Sequence, residues 1–553
     1  MKRITTLVLL LVAVISLKAQ TLETRIPKNA DVVVSANTGN LFELLSVNEL
    51  DSSLMGKSIL KNLNRRREDK IPSLEKAGIN IKANAYFFLK ENNNTIFFNG
   101  LFELNDKEKF ESHLGKRNLK KLKTNNGFSY LEERENIIIW NERFFLFTLK
   151  KNSGKNQDNK GSVEGLKDYA FNLLEGKSDA TLASNRSFQK AKKKNSVLTM
   201  WVRDYGSLMS KFLGAINETM GSGFSALTSG LTIANNKNMY GIEEVAGNLF
   251  FEKDNINLTV DMTVSSGVKK SFKKMYNRKM SSNILKNFDH NKMLGFASFS
   301  MNTEEVLLQY PTLINDLYGD FLPNMKEEIS LITDLFSLVL DEEAIGELIT
   351  GNGLFVLNDF SKQKVKFVKY EYDEDYNRKE VESYKDEMVP DFTIMIGSKK
   401  EKLLSKILDL GVKHGLLTSN KGLYEFKDKK SELPFKLHIV VKDNVMSFTT
   451  SKTRALGILS SRMDYGTSKF NKLIKKSSFL TYVNIHGVMG KVPEGMLGRR
   501  MQKTFDFGYE NLKDGYLNVS KMKGDKISTQ LRINTSTTEE NTLKLLFKFI
   551  NAM

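Results

Sequence analysis

Cysteine is absent from the whole 553-residue sequence. That absence excludes disulfide staples, thiolate metal sites and the lipid-bearing cysteine that tethers a bacterial lipoprotein, so stability has to come from hydrophobic burial. Histidine is scarce: His113, His290, His414, His438 and His486 lie far apart, with no HExxH and no i, i+4 pair. A zinc centre or a nucleophile with its base would show at least one local spacing of ligands. No GxSxG occurs, which leaves an α/β-hydrolase elbow without support. Long apolar runs are missing too. The N-terminal run Leu7–Ile15 falls short of the roughly 20 residues a spanning helix needs, and Leu331–Leu340, flanked by acids, reads as a buried helix.

What is present begins with MKRITTLVLLLVAVISLKAQ, in which Lys2 and Arg3 precede the apolar run and Ala19 closes it. This is the pattern of a secretory signal peptide over residues 1–19, with Gln20 as the new N-terminus and a soluble mature chain. The formal charge of +18 becomes +15 once Lys2, Arg3 and Lys18 leave with the signal. Such an excess favours anionic surfaces: lipopolysaccharide, anionic lipid or acidic glycan before nucleic acid. The 65 acids interleaved among the lysines also fit a plain solvating role. Hydrophobic residues make up 40%, including 36 Phe, and supply enough apolar material for a core.

The stretch FQKAKKKNSVLTMWV (Phe188–Val202) has a second copy, FNKLIKKSSFLTYVN (Phe470–Asn484), at a gapless offset of 282. Phe188/Phe470, Lys190/Lys472, Lys193/Lys475, Lys194/Lys476, Ser196/Ser478, Leu198/Leu480 and Thr199/Thr481 are identical pairs. Each copy reads as the end of a basic amphipathic helix, a Ser turn and an apolar strand. Phe188 and Phe470 are expected to anchor helices, and Leu198 and Leu480 to be buried. Other segments match in order: Ile26–Leu45 with Asn291–Gln309, the strands and helix of Ala85–Leu149 with Phe392–Thr450, and the hairpin Gly241–Val264 with Gly508–Asn534. Alternation in INLTVDMTV predicts sheets with one packed and one wet face. The helix expected over Asp106–Leu122 belongs to the same pattern.

The remaining motifs carry little chemistry. Met55-Gly56-Lys57-Ser58 lacks the first glycine of a phosphate loop, and Gly221–Ala226 fits G-x-G-x-x-A without a preceding strand. Asp373, Asp375 and Asn377 have the spacing of calcium ligands, but Arg378 stands where Gly is needed and Tyr384 where a bidentate Glu belongs. Basic clusters occur at Arg65–Arg67, Lys120-Lys121, Lys192–Lys194 and Arg499-Arg500. Lys193, Lys194, Lys475 and Lys476 recur at equivalent places and form the candidate anion-binding set. Lysines there also suit a helix C-terminus through the macrodipole.

A signal ending in Ala19-Gln20, then IPKNADVVVSANTGNLFELL, then the repeated F-x-K…K-K-x-S motif, resembles a family of secreted proteins and lipoproteins of Bacteroidota known as domain of unknown function family 4836. The resemblance implies an envelope location and no established activity, so no catalytic residues carry over. Many relatives are lipoproteins, and this chain departs from them in having no cysteine.

The fold expected is α+β and internally duplicated: two similar halves of antiparallel sheet with packed helices, residues 20–285 and 286–553, with an insertion at 310–390. The function expected is a non-enzymatic binding or scaffold protein, exported to the periplasm or associated with the outer membrane. One alternative is a hydrolase on glycan or lipid with a site between the halves. Another is a carrier of an apolar ligand, with Gly221–Gly230 as a lid. No catalytic, cofactor or metal residue is assigned, and no cofactor is expected. The partner would be an envelope protein or an anionic glycan or lipid surface. Nucleic acid is not expected, because aromatics do not flank the basic clusters: Trp201 and Tyr482 lie in the strands that follow.

Overall fold

The computed structural model describes residues 21–64, 70–92, 95–114, 116–152, 163–176, 180–205, 241–314, 341–372, 378–427, 435–463, 465–466, 468–492, 497–536 and 539–552. The expected signal segment 1–19, Arg65–Arg67, the expected lid 221–230, the buried helix expected over 331–340 and the trio Asp373, Asp375 and Asn377 lie outside the described residues. The fold is α+β with antiparallel sheet. By its contacts the chain divides into two units: residues 1–208, 242–262 and 537–553, and residues 209–241 and 263–536. Compared with a division at 285/286, the segment 263–285 goes to the second unit and the C-terminal helix to the first.

In the first unit the strands are β1 (Val32–Ala36), β2 (Ala85–Asn92), β3 (Thr95–Glu103), β4 (Lys123–Asn125), β5 (Phe128–Glu132), β6 (Asn136–Trp140), β7 (Phe144–Asn152), β8 (Leu198–Val202), β9 (Ile242–Phe251) and most of β10 (Asn255–Val264). They lie side by side as β4-β5-β6-β7-β3-β2-β1-β8-β9-β10. β-Branched and aromatic residues dominate them, as a pleated surface favours. Asn126 and Gly127 at φ 48° and 79° form the tight β4–β5 turn, which needs two positive-φ residues. Helices Val163–Glu175 and Arg186–Ala191 pack on one face, over a core that holds Phe188, Trp201, Leu146, Ile139 and Leu166. The expected helix Asp106–Leu122 is instead two short ones, Lys107–Ser112 and Lys116–Leu119.

The C-terminal helix Thr542–Ala552 completes this unit. Leu543 and Leu545 are buried, Thr542 Oγ1 donates to Glu252 O (2.9 Å), and Lys544 pairs with Glu49 at 2.9 Å. The Lys544 and Ser46 hydrogen bonds hold the Glu49 carboxyl down at about 2.

The second unit contains β11 (Gly295–Ser300), β12 (Asn352–Tyr372), β13 (Arg378–Gly397), β14 (Leu417–Asn420), β15 (Leu423–Phe426), β16 (His438–Lys442), β17 (Val445–Thr449), β18 (Ser477–Val483), β19 (Leu512–Ser520) and β20 (Lys526–Thr535). Their order is β14-β15-β16-β17-β13-β12-β11-β18-β19-β20. It corresponds strand for strand to the first unit, down to a turn with two positive φ values at Lys421-Gly422. Gly508–Asn511, expected in a strand, belongs to the helix Arg499–Asn511. The charged segment of the insertion is a two-stranded ribbon: β12 and β13 stay paired from Gly353/Ile396 out to Tyr372/Arg378, whereas β11 and β17 flank only their bases.

The two copies of the repeated motif differ by one residue in register. Ser35 of β1 sits opposite Thr199, and Ser298 of β11 sits opposite Leu480. The irregularity between Ser477 and Phe479 absorbs the shift. A one-residue slip exchanges the faces of a strand. Leu480 is therefore buried as expected, while Leu198 turns to the opposite face and is only half-buried. Phe188 is fully buried edge-on to Trp201 (5.9 Å), and Phe470 packs on Tyr482 (4.7 Å).

Candidate functional site

Of the basic motif, Lys192 is committed to structure. Its Nζ lies 2.6 Å from Glu23 Oε1, and the same carboxylate accepts from Tyr86 Oη (2.7 Å) and Gln189 Nε2 (2.8 Å). Burial alone would raise the Glu23 carboxyl, but the donors, led by Lys192, together outweigh it and hold it below its ordinary value. Lys193 and Lys194 are exposed in the turn ahead of β8, and their carbonyls accept from Ser196 and Asn40. Lys475 and Lys476 are exposed in the last turn of the helix Lys469–Lys476. Each pair is thus adjacent within its own unit.

Sequence reasoning missed two lysines that join Lys476. Lys521 follows β19, and its N–H donates to Lys476 O (3.2 Å). Lys279 is brought to the same place because Asn277 Nδ2 donates to Met522 O (3.2 Å) and Ser300 Oγ donates to Arg278 O (2.9 Å). Lys521 is half-buried, and burial together with the nearby Lys279 ammonium holds it below the ordinary lysine range. Among the described residues none of the three ammonium groups has a carboxylate or hydrogen-bond partner. Lys521 lies 45 residues from Lys476 in sequence, so only the β18–β19 pairing could reveal it.

The larger feature is the face of each sheet that looks away from its core. In the first unit the row Gly100, Phe87, Val34, Met200, Gly247 crosses five neighbouring strands on that face. Phe87 is 49% exposed, and Phe98 and Met200 are exposed beside it. The β6–β7 corner is covered, where Phe110 packs on Trp140 and Phe145. In the second unit the row Phe355, Ala297, Thr481, Leu517, Leu531 occupies the same place. Phe299, one step along β11, is 42% exposed and its ring lies over Gly353, where a Cβ would collide with it.

The expected wet face is therefore not polar, and the polar strand residues point inward. Asn99, Thr148, Thr199 and Asn248 are buried on the helix-covered face, where Thr148 Oγ1 donates to Asn99 Oδ1 (2.9 Å) and Thr199 Oγ1 to Asn248 Oδ1 (2.9 Å). Ser300 with Asn352 (2.9 Å) and Thr393 with Thr449 (3.0 Å) do the same in the second unit. In each of these pairs the buried hydroxyl finds its hydrogen-bond partner, as burial requires. Apolar patches of this kind on an exposed surface mark interaction sites.

The histidines stay apart. His113 Nε2 contacts Lys76 O, His486 Nδ1 contacts Tyr509 O, His414 ends a helix, and His290 lies beside Phe288. His438 pairs with Glu425 (3.2 Å) across β15 and β16, and its other neighbour, Thr449, gives its hydroxyl to Phe392 O. Among the described residues no three metal-ligating side chains come together. An open depression is lined by Lys399, Lys400, Glu401, Leu403 and Asn444, and Glu347 already neutralises Lys400 at 2.7 Å.

No family model and no curated protein matches the chain. Among solved structures, crystal form I of TP0453 is similar over 44% of this chain and 80% of that one, at 9% identity and a TM-score of 0.25. Crystal form IV gives 10% identity and 0.26 over 44% and 79%. A likeness this loose carries no functional argument.

Proposed function

We propose that this is an exported, non-enzymatic binding protein of the cell envelope, and that its ligand is an anionic amphiphile whose acyl part lies on the open apolar sheet faces. The reading rests on one observation: Phe87, Phe98, Met200, Phe299 and Phe355 stand exposed on faces opposite the helix-packed cores. Covering a half-exposed phenylalanine is worth about 1 kcal/mol, so an acyl chain laid across several of them gains enough to bind. The charge of +15 left after Lys2, Arg3 and Lys18 are removed favours an anionic ligand over a neutral or cationic one. The N-terminal pattern Met1–Gln20 supports export, and the absence of cysteine argues against a lipid anchor through that residue. Among the described residues no helix is long and apolar enough to cross a membrane. The hydrolase reading has no comparable support, since among the described residues the shifted carboxyls Glu23, Glu49, Asp106, Glu347 and Asp359 all sit in ion pairs.

The test is titration of the purified mature chain with a dansylated undecanoic acid, followed by competition with dodecanoate. Saturable binding is expected, weakened by Phe299→Glu with little change in stability, because that ring is exposed. Absence of saturable binding would overturn the proposal, as would turnover of a glycan or ester substrate without it.

A further inference from the structure

The open face of the second unit has one basic end. Ser300 is the last residue of β11, Ser477 the first of β18 and Ser520 the last of β19, with Ser477 opposite Ser520. All three mark the same end of the sheet, and Lys279, Lys476 and Lys521 emerge there. One residue into the sheet from this end, on the open face, stand Phe299, Phe479 and Val519. From Phe479 to Val483 the face continues along β18 for about 13 Å at the usual strand rise, and the exposed Leu517 and Leu531 lie alongside.

We infer that Lys279, Lys476 and Lys521 form the head-group site for a carboxylate or phosphate whose acyl chain runs along this face of the second unit. The inference rests on the proposed function and adds to it a polarity and a place. A half-buried ammonium beside a second one, neither with a carboxylate or hydrogen-bond partner among the described residues, is costly to leave unpaired. An anion placed between them removes both the repulsion and the unmet hydrogen-bond donors. The first unit lacks this arrangement: Glu252 follows β9 at the matching place, and its carbonyl is taken by Thr542. Lys193 and Lys194 there are exposed and serve as the control.

The experiment compares dodecanoate, dodecyl phosphate and dodecanol as competitors against the dansylated probe, on the full mature chain. Wild type is expected to favour at least one of the two anions over the alcohol by roughly tenfold or more, the worth of a charge-assisted hydrogen bond. Lys521→Met and Lys279→Met should remove that preference while leaving dodecanol affinity unchanged. The double variant Lys193→Met, Lys194→Met should keep the preference. Methionine retains the apolar stem, and an unchanged thermal transition will show that the variants fold. If dodecanol binds and Lys521→Met keeps the full anion preference, the head-group site is wrong and the apolar reading stands. If no competitor binds, the proposed function itself has failed and the head-group site with it.

Discussion

Replacing Lys192 with methionine isolates the buried ion pair that ties the turn Leu22–Arg25 to the rest of the first unit. Glu23 keeps 9% of its side-chain surface in water and Lys192 29%. Breaking a fully buried pair costs about 3–5 kcal/mol. Here the carboxylate retains its hydrogen bonds from Tyr86 and Gln189, so the expected loss at pH 7 is about 2 kcal/mol. Both tryptophans of the sequence, Trp140 and Trp201, are buried in this unit. Urea unfolding followed by tryptophan emission therefore reports on it selectively. The pH dependence carries the stronger test. In the wild type the folded Glu23 carboxyl lies below its ordinary value. Its contribution is therefore complete above the usual glutamate range of about 4.3 and is lost as pH falls through the depressed folded value. In the variant burial dominates and the folded carboxyl rises above that range, so the variant regains stability as pH falls through the raised value. The gap between the two should narrow steadily from pH 7 to pH 4. A gap that stays constant over that interval, or is under about 0.5 kcal/mol at pH 7, would refute the account of Glu23 as a buried charge held by Lys192.

Two further outcomes are expected. Phe188→Ala removes a fully buried ring packed against Trp201 and should cost about 3–5 kcal/mol in the same urea assay; a loss under 1 kcal/mol would mean the site collapses freely. Deleting residues 537–553 strips Leu543, Leu545 and the Lys544–Glu49 pair from the first unit, and should lower its midpoint and with it the tryptophan-detected unfolding free energy, the latter by about 3 kcal/mol or more. An unchanged midpoint would show the helix to be dispensable.

Much of the fold was legible because it is written in local chemistry. The β-branched run at Val32 reads as a strand and is one, and the turn at Asn126-Gly127 and the caps Asp106 and Ser468, seen in the structure, rest on equally local residue chemistry. The helix over Asp106–Leu122 failed as one piece because it breaks between Ser112 and Lys116. Of the candidate site, the sequence supplied Lys476 but not Lys279 or Lys521, which reach it through Asn277–Met522 and the β18–β19 ladder.

The repeated motif shows where the division falls. The sequence by itself determined the order of strands and helices, the anchoring of Phe188 and Phe470, and the lack of any cysteine chemistry. It did not determine which side of each strand faces inward. A strand such as Ala85–Asn92 is apolar at successive positions, Tyr86, Phe87, Phe88, Leu89, so period-two alternation has nothing to read. The decision is made by neighbours. Helices cover the side on which Asn99 and Thr148 find each other, leaving Phe87 on the other. A single irregularity at Ser477 then places Leu480 inside where Leu198 is outside. Register and covering are tertiary facts, because they depend on which strand lies alongside and not on the residues of the strand itself.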